Sequence, residues 1–238
     1  MNYTKIRENI WQIEDDNGVY CTLVKGSKLA ILWDTGFGKT ELKAFVEENV
    51  RTEYMVINSH GHPDHIGGNG QFEVIYASEA AFDEIAYYTK ELSGSPISYE
   101  LKPLKIGQVL DLGGLHAEVI SLAGHTKGSI GLLIAEERLL LAGDAINPCL
   151  WMFNYGALPI SQLKSTLEKA VELPFDTYLF GHSDKEMPKE LIAVHLKNIA
   201  SMSIEKSTKS VTIGTDTLEC AYEENGLRSV IVYTEDLL

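Results

Sequence analysis

"NSHGHPDHIGGN", residues 58–69, places His60, His62, Asp64 and His65 within six positions and then runs into Gly67 and Gly68. A single polar residue at a turn often does no more than cap it. Three imidazoles and a carboxylate this close would repel one another if the rings were protonated, whereas a cation makes their proximity favourable. The preceding apolar run, YMVINSH, ends at His60, and Pro63 with Asp64 marks a turn into a short helical stretch. The cluster is therefore expected on a strand-end loop, where functional side chains tend to gather.

A metal site needs ligands from elsewhere in the chain, and three residues stand in matching contexts. His125 follows a strand-like run in "SLAGHTKGS", Asp144 ends "RLLLAGD" and His182 ends "TYLFGH". Each directly follows a glycine, whose missing side chain lets the backbone approach closely. Five of the seven histidines thus fall at strand ends on short glycine-containing loops.

The ordered pattern HGHPDH, GHTKGS, LAGD and GHS resembles the metallo-β-lactamase superfamily of metal-dependent hydrolases, from about residue 10 to residue 183. The resemblance implies an α/β fold, an αββα sandwich of two central mixed sheets flanked by helices, with two divalent metal ions in a cleft at one edge of the sheets. By the family's pattern His60, His62 and His125 hold one ion, Asp64, His65 and His182 hold the second, and Asp144 bridges both. Asp34 in "LAILWDTGFG" resembles the family's strand-end D-T-G beneath the metals. There it would orient a liganding imidazole through its other ring nitrogen; a turn aspartate bonded to its own backbone is the alternative.

Imidazole and carboxylate donors suit zinc, iron or manganese, with zinc the default. Two such ions roughly 3.5–4 Å apart can share a water, lower its pKa from 15.7 toward about 7, and so hold a hydroxide nucleophile near neutral pH. One ion polarises the substrate oxygen while the other stabilises the leaving group. Asp144 takes part as the bridge, and Asp64 can pass a proton to the departing group.

The chain has 238 residues, 45% of them apolar, enough for a substantial core, and residues 1–238 are expected to form a single domain. No apolar run approaches the roughly 18 residues of a membrane span, and the first twenty residues lack a signal-peptide pattern. A cytoplasmic protein with no membrane partner is expected. Cys21, Cys149 and Cys220 are few, odd in number and far apart, which argues against a disulfide framework. The net charge of −14 and the lack of a basic run argue against nucleic acid and for a small-molecule substrate.

Short runs such as WQIE, VYCTLVKG, KLAILWDTG, EVIYAS, HAEVISL and SIGLLIA read as strands. Between them, Thr40 is expected to cap a helix over ELKAFVEENV, Ser78 one over EAAFDEIAYYTKEL and Ser161 one over QLKSTLEKAVEL. Pro188 suits the first turn of KELIAVHLKNIASM, and "ENG" near the end predicts a hairpin or added sheet strands. His116 and His195 are read as surface or packing residues.

Substrate specificity is less legible. Residues 147–159, NPCLWMFNYGALP, carry Cys149, Trp151, Met152, Phe153 and Tyr155, which could line an apolar pocket beside the metals or fill the core beneath a loop. The Tyr155 hydroxyl would help hold an oxyanion, and Tyr87 and Tyr88 offer a second wall. Among the superfamily's relatives, the flavodiiron oxidoreductases carry an acidic residue where His62 stands, and glyoxalase II-like thioesterases use a basic helical C-terminal region that has no clear equivalent here. The expected function is hydrolysis of a small organic ester, lactone or thioester. A phosphodiesterase acting on a small substrate, a mononuclear iron oxygenase of the persulfide-dioxygenase kind and a non-catalytic ligand binder remain alternatives.

Overall fold

Leu29–Trp33 and Leu139–Leu141 are apolar at every position, as strands buried on both faces must be. The computed structural model, which describes residues 1–238, pairs the strands into three sheets. The first holds β1 (Asn2–Arg7), β2 (Ile10–Asp16), β3 (Val19–Lys25), β4 (Leu29–Trp33), β5 (Glu53–Ile57), β6 (Val74–Ser78) and β7 (Glu100–Leu104) in chain order. Its first four strands are antiparallel, and from β4 to β7 they run parallel. The second sheet starts with β8 (Val109–Asp111), β9 (His116–Ser121), β10 (Ile130–Ile134) and β11 (Leu139–Leu141). The chain leaves it as β12 (Cys149–Met152) and returns as β13 (Thr177–Leu179), parallel to β11, and the short β14 (Met187–Pro188).

Side-chain alternation then divides the core. Ile31, Trp33 and Ile57 point into the space between the sheets and meet Leu132, Leu141 and Leu179 there. Ala30 and Leu32 point outward, against α1 (Leu42–Asn49) and the helical segment that follows α2 (Pro63–Ile66), namely α3 (Phe82–Ser93). On the opposite side Leu133 and Leu140 pack against α4 (Ile160–Val171) and α5 (Glu190–Ser201). The result is the αββα sandwich that the sequence implies.

The C-terminal run forms a third sheet of β15 (Thr208–Thr212), β16 (Thr215–Glu224) and β17 (Leu227–Tyr233), with β12 joining β17 in parallel. Asn225 and Gly226 join β16 to β17 with φ of 53° and 76°, the left-handed pair that a two-residue hairpin requires. The turn from β15 to β16 has the same geometry but places Ile213, at φ 51°, ahead of Gly214. A β-branched residue is strained in that region.

The expected helix caps are not formed. Thr40 instead donates its N–H and hydroxyl to Asp15, whose carboxylate also takes the N–H groups of Phe37 and Lys39 and so holds the 36–40 loop. The Ser78 hydroxyl donates to the Gly128 carbonyl at 2.6 Å, and a 3₁₀ turn at Glu79–Ala81 precedes α3. Ser161 lies inside α4, which begins at Ile160 after Pro159, and Pro188 lies in β14, before α5. In each case a tertiary partner or a neighbouring proline outweighs local capping preference. No helix is long and apolar enough to cross a membrane.

His116 is exposed and paired with Glu136, whereas His195 is fully buried between α5 and β17, with Nδ1 2.7 Å from the Ser229 hydroxyl. Burial pulls its pKa from 6.5 down to about 4. The unfolded chain therefore binds this proton first as pH falls, so the stability tied to neutral His195 is complete above pH 6.5 and is lost between 6.5 and about 4. Urea titrations across that window should lose roughly 3 kcal/mol more in the native protein than in His195→Gln.

Candidate metal centre

Every candidate ligand lies on a loop following a strand, all at one edge of the sandwich. His60 and His62 come from the segment after β5, Asp64 and His65 from the single turn α2, His125 from the loop after β9, Asp144 from that after β11 and His182 from that after β13. Glycine makes the approach possible: a Cβ at Gly181 would lie 2.5 Å from His65 Cε1 and 2.8 Å from Asp144 Oδ1. The donor atoms form two groups, His60, His62 and His125 in one and Asp64, His65, Asp144 and His182 in the other, each group's atoms within 4.8 Å of one another.

Hydrogen bonds behind the rings fix which nitrogens are bare. Asp34 Oδ2 accepts from His65 Nδ1 at 2.8 Å and from the Ser59 hydroxyl at 2.8 Å, and Oδ1 accepts the Ser59 N–H at 2.7 Å. With its proton committed to Asp34, Ser59 Oγ is left to accept from His60 Nδ1 at 2.9 Å. His60 thus turns an unprotonated Nε2 inward, His65 aims its Nε2 at the same space, and both atoms are buried without a hydrogen-bond partner, as is Asp144 Oδ1. His125 Nδ1 donates to the Trp151 carbonyl at 2.7 Å, and His62 Nε2 faces the Tyr155 carbonyl at 3.4 Å. Their other nitrogens, His125 Nε2 and His62 Nδ1, then present lone pairs to each other across 3.0 Å. Converging lone pairs and orphaned buried acceptors fit a cation and little else.

The charge states agree with this reading. Burial holds His60 and His62 well below the usual histidine range, reinforced by their neighbouring rings, and burial also lowers His125. In the second group burial opposes protonation, but Asp64, Asp144 and Asp34 hold His65 well above its usual value, and Asp144 raises His182. Burial likewise works against ionisation of Asp144, yet His182 and His65 keep its carboxyl well below the usual range. His182 Nε2 lies 2.9 Å from Asp144 Oδ2 and 3.4 Å from Asp64 Oδ2. A divalent ion can replace the protons these groups share.

Asp34 is buried and sits at φ 64°, a left-handed backbone held at the exit of β4. It bonds the imidazole of His65, a candidate ligand, and not its own turn. Cys149 and Trp151 line the cleft beside the donors, while Leu150 and Met152, alternating with them along β12, are buried in the core. Residues 149–152 are therefore divided between the cleft and the core, on opposite faces of one strand. Phe153 and Tyr155 are not part of the cleft wall: Phe153 packs tilted against Trp151 with ring centroids 5.3 Å apart, and Tyr155 likewise against Tyr87 at 4.7 Å. Tyr155 offers His62 its carbonyl and not its hydroxyl, and Tyr88 lines the cleft instead.

Two functional positions escape a sequence reading. Ser59 is one small residue in a polar loop. Glu84, fully buried on α3, accepts the Gly61 N–H at 2.9 Å and so braces the backbone between His60 and His62; burial pushes its carboxyl up to about 7. Nothing in the amphipathic pattern of α3 distinguishes it from a surface acid.

The sequence profile described as "Metallo-beta-lactamase superfamily" matches residues 15–182. A hydroxyacylglutathione hydrolase of Methylococcus capsulatus is 27% identical over 168 residues, which are 70% of this chain and 61% of that protein. The acyl-coenzyme A thioesterase MBLAC2 of Homo sapiens is 25% identical over 201 residues, 70% of this chain and 68% of that protein. Among solved structures, a metallo-beta-lactamase from Pontibacter korlensis superposes with a TM-score of 0.67 at 18% identity, covering 84% of this chain and 99% of that one. The matched part of the chain spans about three-fifths of the length of the Methylococcus capsulatus hydrolase and of a second such hydrolase, from Erythrobacter litoralis.

Asp34→Gly keeps the left-handed backbone without strain while removing the carboxylate. Competition against a chromophoric chelator should find its divalent-metal affinity lowered roughly 10- to 100-fold.

Proposed function

Because the chain belongs to the metallo-β-lactamase superfamily, we propose that it is a metal-dependent hydrolase of small organic thioesters and esters that holds two divalent ions, with zinc the native metal. The observation that carries this reading is the set of bare nitrogens and carboxylate oxygens converging beside an open cleft. His60, His62 and His125 would hold one ion, Asp64, His65 and His182 the other, and Asp144 would reach both. When bound, such ions supply Lewis-acid polarisation of a substrate carbonyl and an activated water.

The chain's own residues do the rest. Asp34 and Ser59 lock the tautomers of His65 and His60, and the Trp151 carbonyl locks that of His125. Asp64 is partly exposed at the cleft wall, a position from which its carboxylate could take the proton released by the attacking water and pass it to a departing sulfur or oxygen. Cys149 is not the nucleophile in this reading, since burial pushes its thiol up and leaves it protonated at neutral pH. The thioester relatives favour acyl substrates over phosphodiesters. A reducing, cytoplasmic setting fits the three cysteines, all unpaired. One apolar cluster joins the second sheet, α4, α5 and the C-terminal sheet, which supports treating residues 1–238 as one domain.

Metal analysis of protein purified without added ions should find close to two ions per chain, with His182→Ala and His60→Ala each losing about one. A single iron whose content His182→Ala leaves unchanged would replace this reading with a mononuclear oxygenase. In a panel of chromogenic ester, lactone, thioester and phosphodiester substrates, acyl substrates should turn over, and Cys149→Ser should keep most of that activity. Loss of all turnover in Cys149→Ser with metals and fold intact would point to thiol catalysis.

A further inference from the structure

The cleft beside the candidate ligands encloses about 890 Å³, within the usual range for a small-molecule site. No lysine or arginine lines it, and its only acids are Asp64 and Asp144. Away from the donors the walls carry the apolar side chains of Phe37 on the loop held by Asp15, Trp151 on β12, Phe180 after β13 and Ile213 from the C-terminal sheet, interspersed with the uncharged amides of Asn17, Asn147 and Asn154. A substrate tail bearing carboxylates or phosphates would find no cationic side chain here, on a protein of net charge −14.

Ile213 is the unexpected member. It is 76% exposed and stands at the tip of the β15–β16 turn at φ 51°, where the companion turn of the same sheet uses Asn225. Turn chemistry alone therefore favours asparagine or glycine at position 213. A large apolar residue held there against backbone preference and facing the cleft is what a binding role would require.

We propose that Ile213 is a specificity-determining residue that covers an uncharged, medium-length acyl chain, so that the preferred substrates are apolar acyl thioesters or esters with uncharged leaving groups. This rests on the hydrolase reading above. In the reaction water adds its oxygen to the acyl carbon, the C–S or C–O bond breaks, and a proton goes to the departing sulfur or oxygen. Only the acyl chain, and not the reacting atoms, touches Ile213.

The test uses S-acyl N-acetylcysteamine thioesters from acetyl to octanoyl, with zinc-loaded full-length protein. Each added methylene should raise kcat/KM roughly 3- to 4-fold, mainly through KM. Ile213→Asn, which suits the turn and so should fold, should lower the octanoyl-to-acetyl ratio at least about tenfold, while Ile213→Leu should keep the slope. Octanoyl-coenzyme A should react more slowly than the uncharged octanoyl thioester. A second arm needs no catalysis: octanamide titrated into EDTA-treated protein should change the intrinsic fluorescence through Trp151, a change absent in Trp151→Phe, which keeps Trp11 and Trp33, with affinity weakened at least about fivefold in Ile213→Asn. Absence of turnover with every ester and thioester would overturn the hydrolase reading and with it the substrate assignment, while the octanamide arm would still decide whether Ile213 covers an acyl chain. Turnover with a flat chain-length profile, an unchanged ratio in Ile213→Asn, or a faster reaction with octanoyl-coenzyme A would overturn the present inference alone.

Discussion

Asp34 is the constraint on which the centre depends. Its two carboxylate oxygens take three protons, from His65 Nδ1, the Ser59 hydroxyl and the Ser59 N–H, and through Ser59 they set the orientation of His60 as well. Bringing that carboxylate under both rings requires β4 to end in a left-handed residue, a conformation that costs about 1–3 kcal/mol in a non-glycine side chain. Hydrogen bonds to a buried charged group contribute about 1.5–3 kcal/mol each and offset it. The strain is therefore local and stable.

The two sheets contribute unequal halves of the cluster, and main-chain bonds tie those halves together. The N–H of Ile130, on β10, donates to the Ser59 carbonyl at 2.9 Å, joining the second sheet to the loop that carries His60. Tyr20 N–H donates to the Gly181 carbonyl at 2.8 Å and Gly181 N–H to the Gly143 carbonyl at 3.2 Å, so the loops bearing Asp144 and His182 are tied to each other and to β3. The apolar layer between the sheets holds their separation, as close packing resists small displacements. Backbone and core thereby place the loops that carry the donors, and the hydrogen bonds of Asp34, Ser59 and the Trp151 carbonyl then orient the rings.

This division explains what can be read from the sequence. The candidate ligands are legible because a divalent ion demands particular residue types, and strand-end glycines mark where the backbone must come close. Asp34 is legible for the same reason, through its strand-end position. Ser59 and Glu84 are not, since each acts through hydrogen bonds to neighbours that are distant or unremarkable in sequence. Helix starts fail where a tertiary partner competes: Thr40 has the residue type for a cap, but Asp15, brought in by β2, takes its hydroxyl. The cleft wall is half legible, because alternation along β12 sends Trp151 and Met152 to opposite sides, and only the pairing with β17 fixes which side is which.

That pairing also orders events in time. β12 carries the Trp151 carbonyl that fixes His125, and it is held edge-on by β17, with Cys149 opposite Val230. Contacts so distant along the chain form late, after loop closure has been achieved by more local structure. The strand that leads into His60 pairs with neighbours close to it in the chain, whereas His125 takes its anchor from a strand held by residues far along the sequence. The C-terminal sheet, through β17 and β12, therefore holds the anchor of one candidate ligand as well as a wall of the cleft.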